Sequence, residues 1–250
     1  MIRPHLLGAL AALTFALPAQ AFDVSEMSDA EREAFRSEVR AYLLDNPEVL
    51  MEAIAVLEQR QAEEQIAADR DKVAVNAEAL FEDAESWVGG NPDGDVTLVE
   101  FMDYRCSFCR RAHPEVQALV QGDGNIRYIV KEYPILGEES VAASRFALAV
   151  RNVAGDQAYK DVHDRLITVR GTMDEATFAR IGEELGLDTD AILVEMQNPA
   201  IDQIIQRNYA LAQRLEISGT PSFVFHTDLV RGYVPLESMQ GIVQAIRDGS

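Results

Sequence analysis

Val96-Thr97-Leu98-Val99-Glu100-Phe101-Met102-Asp103-Tyr104-Arg105-Cys106-Ser107-Phe108-Cys109 is the stretch on which the fold turns. Apart from Glu100, its opening residues are apolar and β-prone, which predicts a buried strand from Val96 to Phe101. A helix is expected from about Ser107 to Val120, so the chain's two cysteines stand at a strand-to-helix junction. The first sulfur of a C-x-x-C placed there occupies the first helical turn, where unpaired N–H groups stabilise a thiolate. With no third thiol, the pair closes on itself or stays reduced. As a staple it would remove almost no loop entropy, so the spacing points to reversible redox chemistry.

Ahead of the strand, Asn91-Pro92-Asp93-Gly94 reads as a turn, with proline setting φ and glycine accepting a positive one. Beyond the helix, Gly122-Asp123-Gly124 precedes a second strand, Ile126 to Tyr133. Strand, helix and strand at this spacing form a right-handed crossover with parallel strands. Helices are then expected over Ser140–Val153, Asp156–Val169, Thr172–Leu185 with a Thr172-to-Glu175 capping box, Thr189–Gln197 and Ile201–Leu215. Two short strands, Ser222 to Phe225 and Val230 to Tyr233, flank His226-Thr227-Asp228, and a helix from Leu236 to Ile246 closes the chain. The expected architecture is one α/β domain over 86–250, interrupted by a helical insertion at about 139–216.

Residues 22–85 read as an all-helical arm. Ser28-Asp29-Ala30-Glu31 is a capping box, and Phe35, Val39, Tyr42 and Leu43 share one helical face. Asp45-Asn46-Pro47 ends one helix and starts the next, with Asn46 as its N-cap. Leu50, Ile54 and Leu57 carry an apolar face onward, but residues 58–65 have almost none, as in a strut. The apolar part, 30–57, either folds back on the domain or is buried against another copy of itself. Further upstream, Arg3, the apolar run Leu6 to Leu17 and Ala19-Gln20-Ala21 match a signal peptide over 1–21, cleaved after Ala21. The protein is therefore expected to be exported to an oxidising compartment, where one dithiol serves as a catalyst.

Removing that segment removes only Arg3 from the charged residues, leaving 42 acids against 21 bases. Such a surface disfavours nucleic acid, whose binding rests on neutralising phosphates. Residues 23–85 hold 18 acids and 6 bases, the pattern of a solvated helical face.

The cysteine pair also admits metal readings, half a zinc site or a soft Cu(I) site. A structural zinc site needs four ligands, and the nearest further candidate is His113, four residues after Cys109. His163 and His226 fall in segments assigned elsewhere, and the seven methionines are scattered, so no metal site is expected. Glu100 is either a satisfied core polar group or a proton acceptor raised by burial and able to deprotonate the second cysteine. Ser218-Gly219-Thr220-Pro221-Ser222 precedes the last strands, with Pro221 either an ordinary trans turn residue or a cis residue at a functional site.

Phe101-x-Asp103-Tyr104-x-Cys106-x-x-Cys109-Arg110-Arg111, Lys131-Glu132-Tyr133-Pro134-Ile135-Leu136 and Gly219-Thr220-Pro221-Ser222-Phe223 resemble the DsbA-like thiol:disulfide oxidoreductases, a branch of the thioredoxin fold. The resemblance covers roughly residues 86–250. It implies that Cys106 is the attacking thiolate, Cys109 the resolving thiol, Glu100 the buried acid, and Pro221 a cis-proline facing the dithiol. Residues 27–65 resemble the N-terminal region of suppressor-of-copper-sensitivity C (ScsC) proteins, which implies a homo-oligomer, a trimer, in which isomerase is favoured over oxidase activity; the expected function is disulfide exchange with folding proteins, as isomerase or oxidase.

One departure concerns the residues between the cysteines. The best-known oxidase of the family has Pro-His there; Phe108 replaces the histidine, so no imidazolium stabilises the thiolate. The helix N-terminus, the Ser107 hydroxyl and Arg105 or Arg110 remain, and a Cys106 pKa below that of free cysteine is expected. Apolar surface near Phe108 and Tyr104, with backbone pairing at Thr220 and Ser222, is expected to hold unfolded or misfolded exported proteins. No small-molecule cofactor is needed, because the electrons reside in the two sulfurs. A membrane redox partner, DsbB-like or DsbD/ScsB-like, resets the pair in the periplasm. The alternative function is a Cu(I)-binding copper-tolerance protein using the same cysteines.

Overall fold

The structure, a computed structural model, describes residues 27–249. The expected signal peptide and its cleavage after Ala21 lie outside the described residues. Among them, no helix is long and apolar enough to cross a membrane. The chain divides into two compact units, one ending at Gln59 and the other running from Arg60 to the C-terminus.

In the first unit, α1 (Asp29–Asp45) starts at the expected capping box, with Ser28 and Glu31 satisfying each other's backbone N–H groups. It has no buried residue. Phe35, Val39, Tyr42, Leu50, Ile54 and Leu57 are all exposed large hydrophobics. Asn46 does not act as the expected N-cap; its side-chain amide donates to Tyr42 O at 2.9 Å, so it finishes α1 instead, and α2 (Glu48–Val75) follows.

The second unit is built on a five-stranded sheet of order β1-β3-β2-β4-β5: β1 (Trp87–Gly90), β2 (Val96–Met102), β3 (Ile126–Glu132), β4 (Ser222–Phe225) and β5 (Asp228–Arg231). β2 and β3 run parallel, joined by α4 (Ser107–Asp123), and the other pairings are antiparallel. Both central strands are nearly continuously buried because both faces are covered. Period-two alternation sorts β2: Val96, Leu98 and Met102 enter the core shared with α4 and α5 (Glu138–Leu166), while Val99 and Phe101 enter the core on the opposite face. Glu100, between Leu98 and Met102, belongs to the α4 side.

The helical insertion comprises α5, α6 (Glu175–Glu184), α7 (Thr189–Glu195) and α8 (Pro199–Arg214). Gly155, at φ 86°, kinks α5 where the sequence predicts one helix to end and another to begin. The expected Thr172 capping box is replaced: Asp174 is the N-cap of α6, accepting from Thr177 N–H at 3.0 Å. β5 starts two residues earlier than expected, because His226 at φ 53° and Thr227 alone turn the hairpin. The terminal helix is α9 (Leu236–Asp248).

Two features differ more substantially from the sequence reading. β1 has no counterpart in it. A Cβ on Gly89 would meet the Trp87 ring at 2.1 Å, and Gly90 has φ 69°, so the strand needs both glycines. Trp87 packs on Tyr159 and Tyr128, with ring centroids 5.6 and 5.9 Å apart, and donates to Asp156 O. The expected boundary at 85/86 also falls inside the second unit. Residues 60–85 pack against it: Val73 and Leu80, the latter in α3 (Ala77–Phe81), are buried, and Asp69 accepts both guanidinium nitrogens of Arg231 at 2.6 and 3.0 Å. Lys131, fully buried on β3, reaches Asp83 at 2.6 Å.

Candidate redox site

Cys106 is the N-cap of α4, in extended conformation, and its Sγ accepts from the Cys109 backbone N–H at 3.4 Å. Its thiol donates to Thr220 O at 3.1 Å. The preceding turn is set by Asp103, which is fully buried and accepts from the N–H groups of Arg105, Ile135 and Leu136 and from the Ser140 hydroxyl, all at 2.7–3.0 Å. In the sequence Asp103 stands only as one member of a motif; an acid directly after a strand and before a C-x-x-C is the signal that marks it as the organiser of that turn.

The two sulfurs have opposite environments. Cys106 is pushed down to about 6, first by a hydrogen bond from the Cys109 thiol, against burial, with help from Thr220 and the N–H groups of Cys109 and Phe108. Cys109, 1% exposed, is raised far above the usual thiol range by burial, with the charges of Glu100 and Cys106 adding to it. Glu100 is 3% exposed, accepts a hydrogen bond from the Tyr128 hydroxyl, and is raised to about 7 by burial. One thiol is thus held as thiolate at neutral pH, and the other is held protonated beside an acid that can take its proton.

The arginines considered as stabilisers are engaged elsewhere. Arg105 donates to Gly171 O and pairs with Glu139, and Arg110 donates to Ile167 O and Val169 O at the end of α5. The Thr220–Pro221 peptide bond is cis. Phe108 is exposed at the mouth of the site.

Tyr104 does not offer the expected apolar surface. It is fully buried, and its hydroxyl donates to Glu132 at 2.8 Å. Ser222 is also buried: its hydroxyl donates to Gly219 O, and its position in β4 pairs with Phe101 and Arg231. Glu132 collects three hydroxyls, from Tyr104, Tyr159 and Ser144. His163, assigned from sequence to a separate segment, lies against His113 with ring centroids 5.2 Å apart. Distance along the chain hides this neighbour, since only the packing of α5 on α4 joins the two.

Comparison with known proteins places these features in context. A Thioredoxin family model matches residues 82–245, and the Copper resistance protein ScsC N-terminal domain matches residues 31–64. Among solved structures, a thioredoxin-like oxidoreductase from Silicibacter pomeroyi DSS-3 is 43% identical, covering 69% of this chain and 98% of its own, with TM-score 0.65. A linker-deletion mutant of Proteus mirabilis ScsC is 26% identical over 91% of this chain and 100% of its own, with TM-score 0.66. The thiol-disulfide exchange protein α-DsbA2 from Wolbachia pipientis is 26% identical over 72% of this chain and 96% of its own, with TM-score 0.67. The chain spans about a quarter of the length of the curated relatives it matches, Na(+)/H(+) antiporters NhaA of Salinispora arenicola, Salinispora tropica and Herminiimonas arsenicoxydans.

Proposed function

This chain belongs to the thioredoxin family, and we propose that it is an exported thiol–disulfide oxidoreductase that exchanges disulfides with protein substrates through Cys106 and Cys109, acting as an isomerase. The observation that carries the reading is the asymmetry of the pair: a Cys106 sulfur lowered to about 6 at a helix N-terminus, over a buried Cys109 beside Glu100. In the reduced enzyme the Cys106 thiolate attacks a wrong substrate disulfide and forms a mixed disulfide, releasing one substrate thiolate. That thiolate attacks elsewhere in the substrate, and a later substrate thiolate displaces Cys106, so no net electrons move. When exchange stalls, Cys109 gives its proton to Glu100 and attacks Cys106, which leaves a reduced substrate and an oxidised pair, two electrons having passed to the substrate. A membrane redox partner then returns those electrons.

Export is supported by Arg3, the apolar run Leu6 to Leu17 and Ala19-Gln20-Ala21. Assembly into a trimer is supported by the exposed apolar residues of the first unit and by the match of residues 31–64. Deleting residues 22–59 should reduce the solution mass to that of a monomer while leaving the second unit folded; an unchanged mass per particle refutes assembly through this segment. Activity is tested with scrambled ribonuclease: the full chain restores it and Cys106→Ala does not. Failure to reactivate it would overturn the isomerase reading, and failure also to oxidise a reduced substrate would overturn disulfide exchange itself.

The likeness of residues 31–64 to the Copper resistance protein ScsC N-terminal domain favours a second reading, Cu(I) held between the two thiolates. Thiols bind metal only when deprotonated, and burial holds Cys109 strongly protonated. Competition against a chromophoric Cu(I) chelator distinguishes the two: tight binding lost in Cys109→Ala favours copper handling.

A further inference from the structure

Away from the dithiol, α4 and α5 bring together a second set of chemistry-bearing side chains. His113 of α4 and the consecutive His163 and Asp164 of α5 each offer a ligand atom within 4.8 Å of the other two. Hydrogen bonding fixes the tautomer of His163. The Tyr104 hydroxyl donates its proton to Glu132 at 2.8 Å, so towards His163 Nδ1, 3.0 Å away, it acts as acceptor, and Nδ1 carries the hydrogen. Nε2 is left as a bare lone pair on a ring 1% exposed.

Among the described residues, three buried side-chain polar atoms lack a hydrogen-bond partner: Gln117 Nε2, His163 Nε2 and Asp164 Oδ1. The last two are acceptors of this one cluster. The Lys160 ammonium occupies the other carboxylate oxygen, Oδ2, which leaves Oδ1 turned to the cluster. Nε2 of His113 lies 3.1 Å from Oδ1, so the second imidazole also meets the carboxylate. The buried Nε2 lone pair of His163, which has no donor, faces this carboxylate and a second imidazole, and a cation among them would satisfy all three.

We propose that His113, His163 and Asp164 form a binding site for one divalent transition-metal ion of the zinc class, clasping the active-site helix to the insertion. Two imidazoles and a monodentate carboxylate with a fourth position left for water form a donor set that zinc accepts, whereas calcium and magnesium require oxygen ligands. Bonds of about 2.0–2.1 Å bring tetrahedral donors to roughly 3.3 Å from one another, so the three atoms would have to draw together around the ion. The chain Glu132–Tyr104–His163 supplies the backing that metal-binding imidazoles commonly have, an outward ring N–H held by a group tied to a carboxylate. No cysteine takes part, so the site operates alongside the dithiol.

The test uses the full chain in its oxidised form, with both sulfurs locked in the disulfide and unable to bind metal. Zinc chloride is titrated in competition with a chromophoric chelator, and cobalt(II) provides a visible spectrum. One zinc per chain is expected, with the intense cobalt bands of four-coordination. Asp164→Asn and His113→Ala should each weaken binding about 100-fold or more, with far-UV circular dichroism unchanged. The thermal midpoint of the wild-type protein should rise with zinc and that of the variants should not. Zinc binding no tighter than magnesium binding at the same ionic strength, or equal binding by wild type and both variants, overturns the proposal.

Discussion

Glu100→Gln isolates the buried acid beneath the dithiol. Burial raises the Glu100 carboxyl from 4.5 to about 7, so the folded chain holds its proton more tightly than the unfolded chain does. The stability this group contributes is therefore complete below the unfolded value and lost as pH rises through about 7. The shift is worth about 3 kcal/mol, of which about 2.5 kcal/mol falls between pH 5 and pH 8. Glutamine keeps the size of the side chain and still accepts from Tyr128, but it does not titrate. Cys106, lowered to about 6, works in the opposite sense, gaining stability as pH rises, and Glu132, raised to about 7, works in the same sense as Glu100. Both are present in both proteins, so the difference between the two pH dependences isolates Glu100.

Urea unfolding of the reduced proteins at pH 5 and pH 8 measures it directly. The wild type should lose about 2.5 kcal/mol more than the variant over that interval. Release of a mixed disulfide at Cys106 by Cys109 should also slow about 100-fold or more in the variant, the scale of a lost general base, and lose its inflection near pH 7. Identical pH dependence of stability in the two proteins would refute the reasoning, because the acid would then be ionising as it does in water.

Two further outcomes follow from the same structure. Thiolate absorbance of the reduced protein should titrate as a single group with a midpoint near 6, from Cys106, while Cys109 stays silent through neutral pH; a midpoint at 8.5 or above contradicts this. Asp83→Ala leaves the Lys131 ammonium buried with only Ala79 O, and should cost about 3 kcal/mol in denaturant unfolding, whereas Lys131→Met should cost markedly less. Equal losses for the two variants would show that the ion pair does not govern stability there.

Sequence pattern exposes the catalytic unit well where an element is strongly periodic. The strand before the cysteines, the helix after them and the last helix of the insertion carry continuous or 3.6-period apolar residues, and their packing follows that pattern. β1 is hidden because Gly89-Gly90 has no β-propensity; the Trp87 ring, which needs the space above Gly89, supplies the reason for the strand. Residues 60–85 read as part of the arm because the polar stretch 58–65 interrupts the apolar face ahead of Val73 and Leu80, and Asp69 and Asp83 cannot be told from solvated acids until Arg231 and Lys131 are beside them. Tyr104 misleads for a related reason: an aromatic close to a cysteine suits a substrate surface, but its hydroxyl is claimed by Glu132.

By itself the sequence determined the α/β crossover, the place of the two sulfurs at a helix start and the presence of an acid in the neighbouring strand. Those properties depend on spacing of a few residues, within which chain geometry leaves little freedom. The tertiary structure alone decided what the groups become: how far Cys106 falls, how far Glu100 and Cys109 rise, that Arg105 and Arg110 are engaged elsewhere, and that His163 reaches His113. Such quantities depend on desolvation and, beyond the contact of Cys106 with Cys109, on partners 28 to 114 positions away in the chain, from Tyr128 on Glu100 to Thr220 on Cys106. They exist only once the sheet and the helices have closed around them.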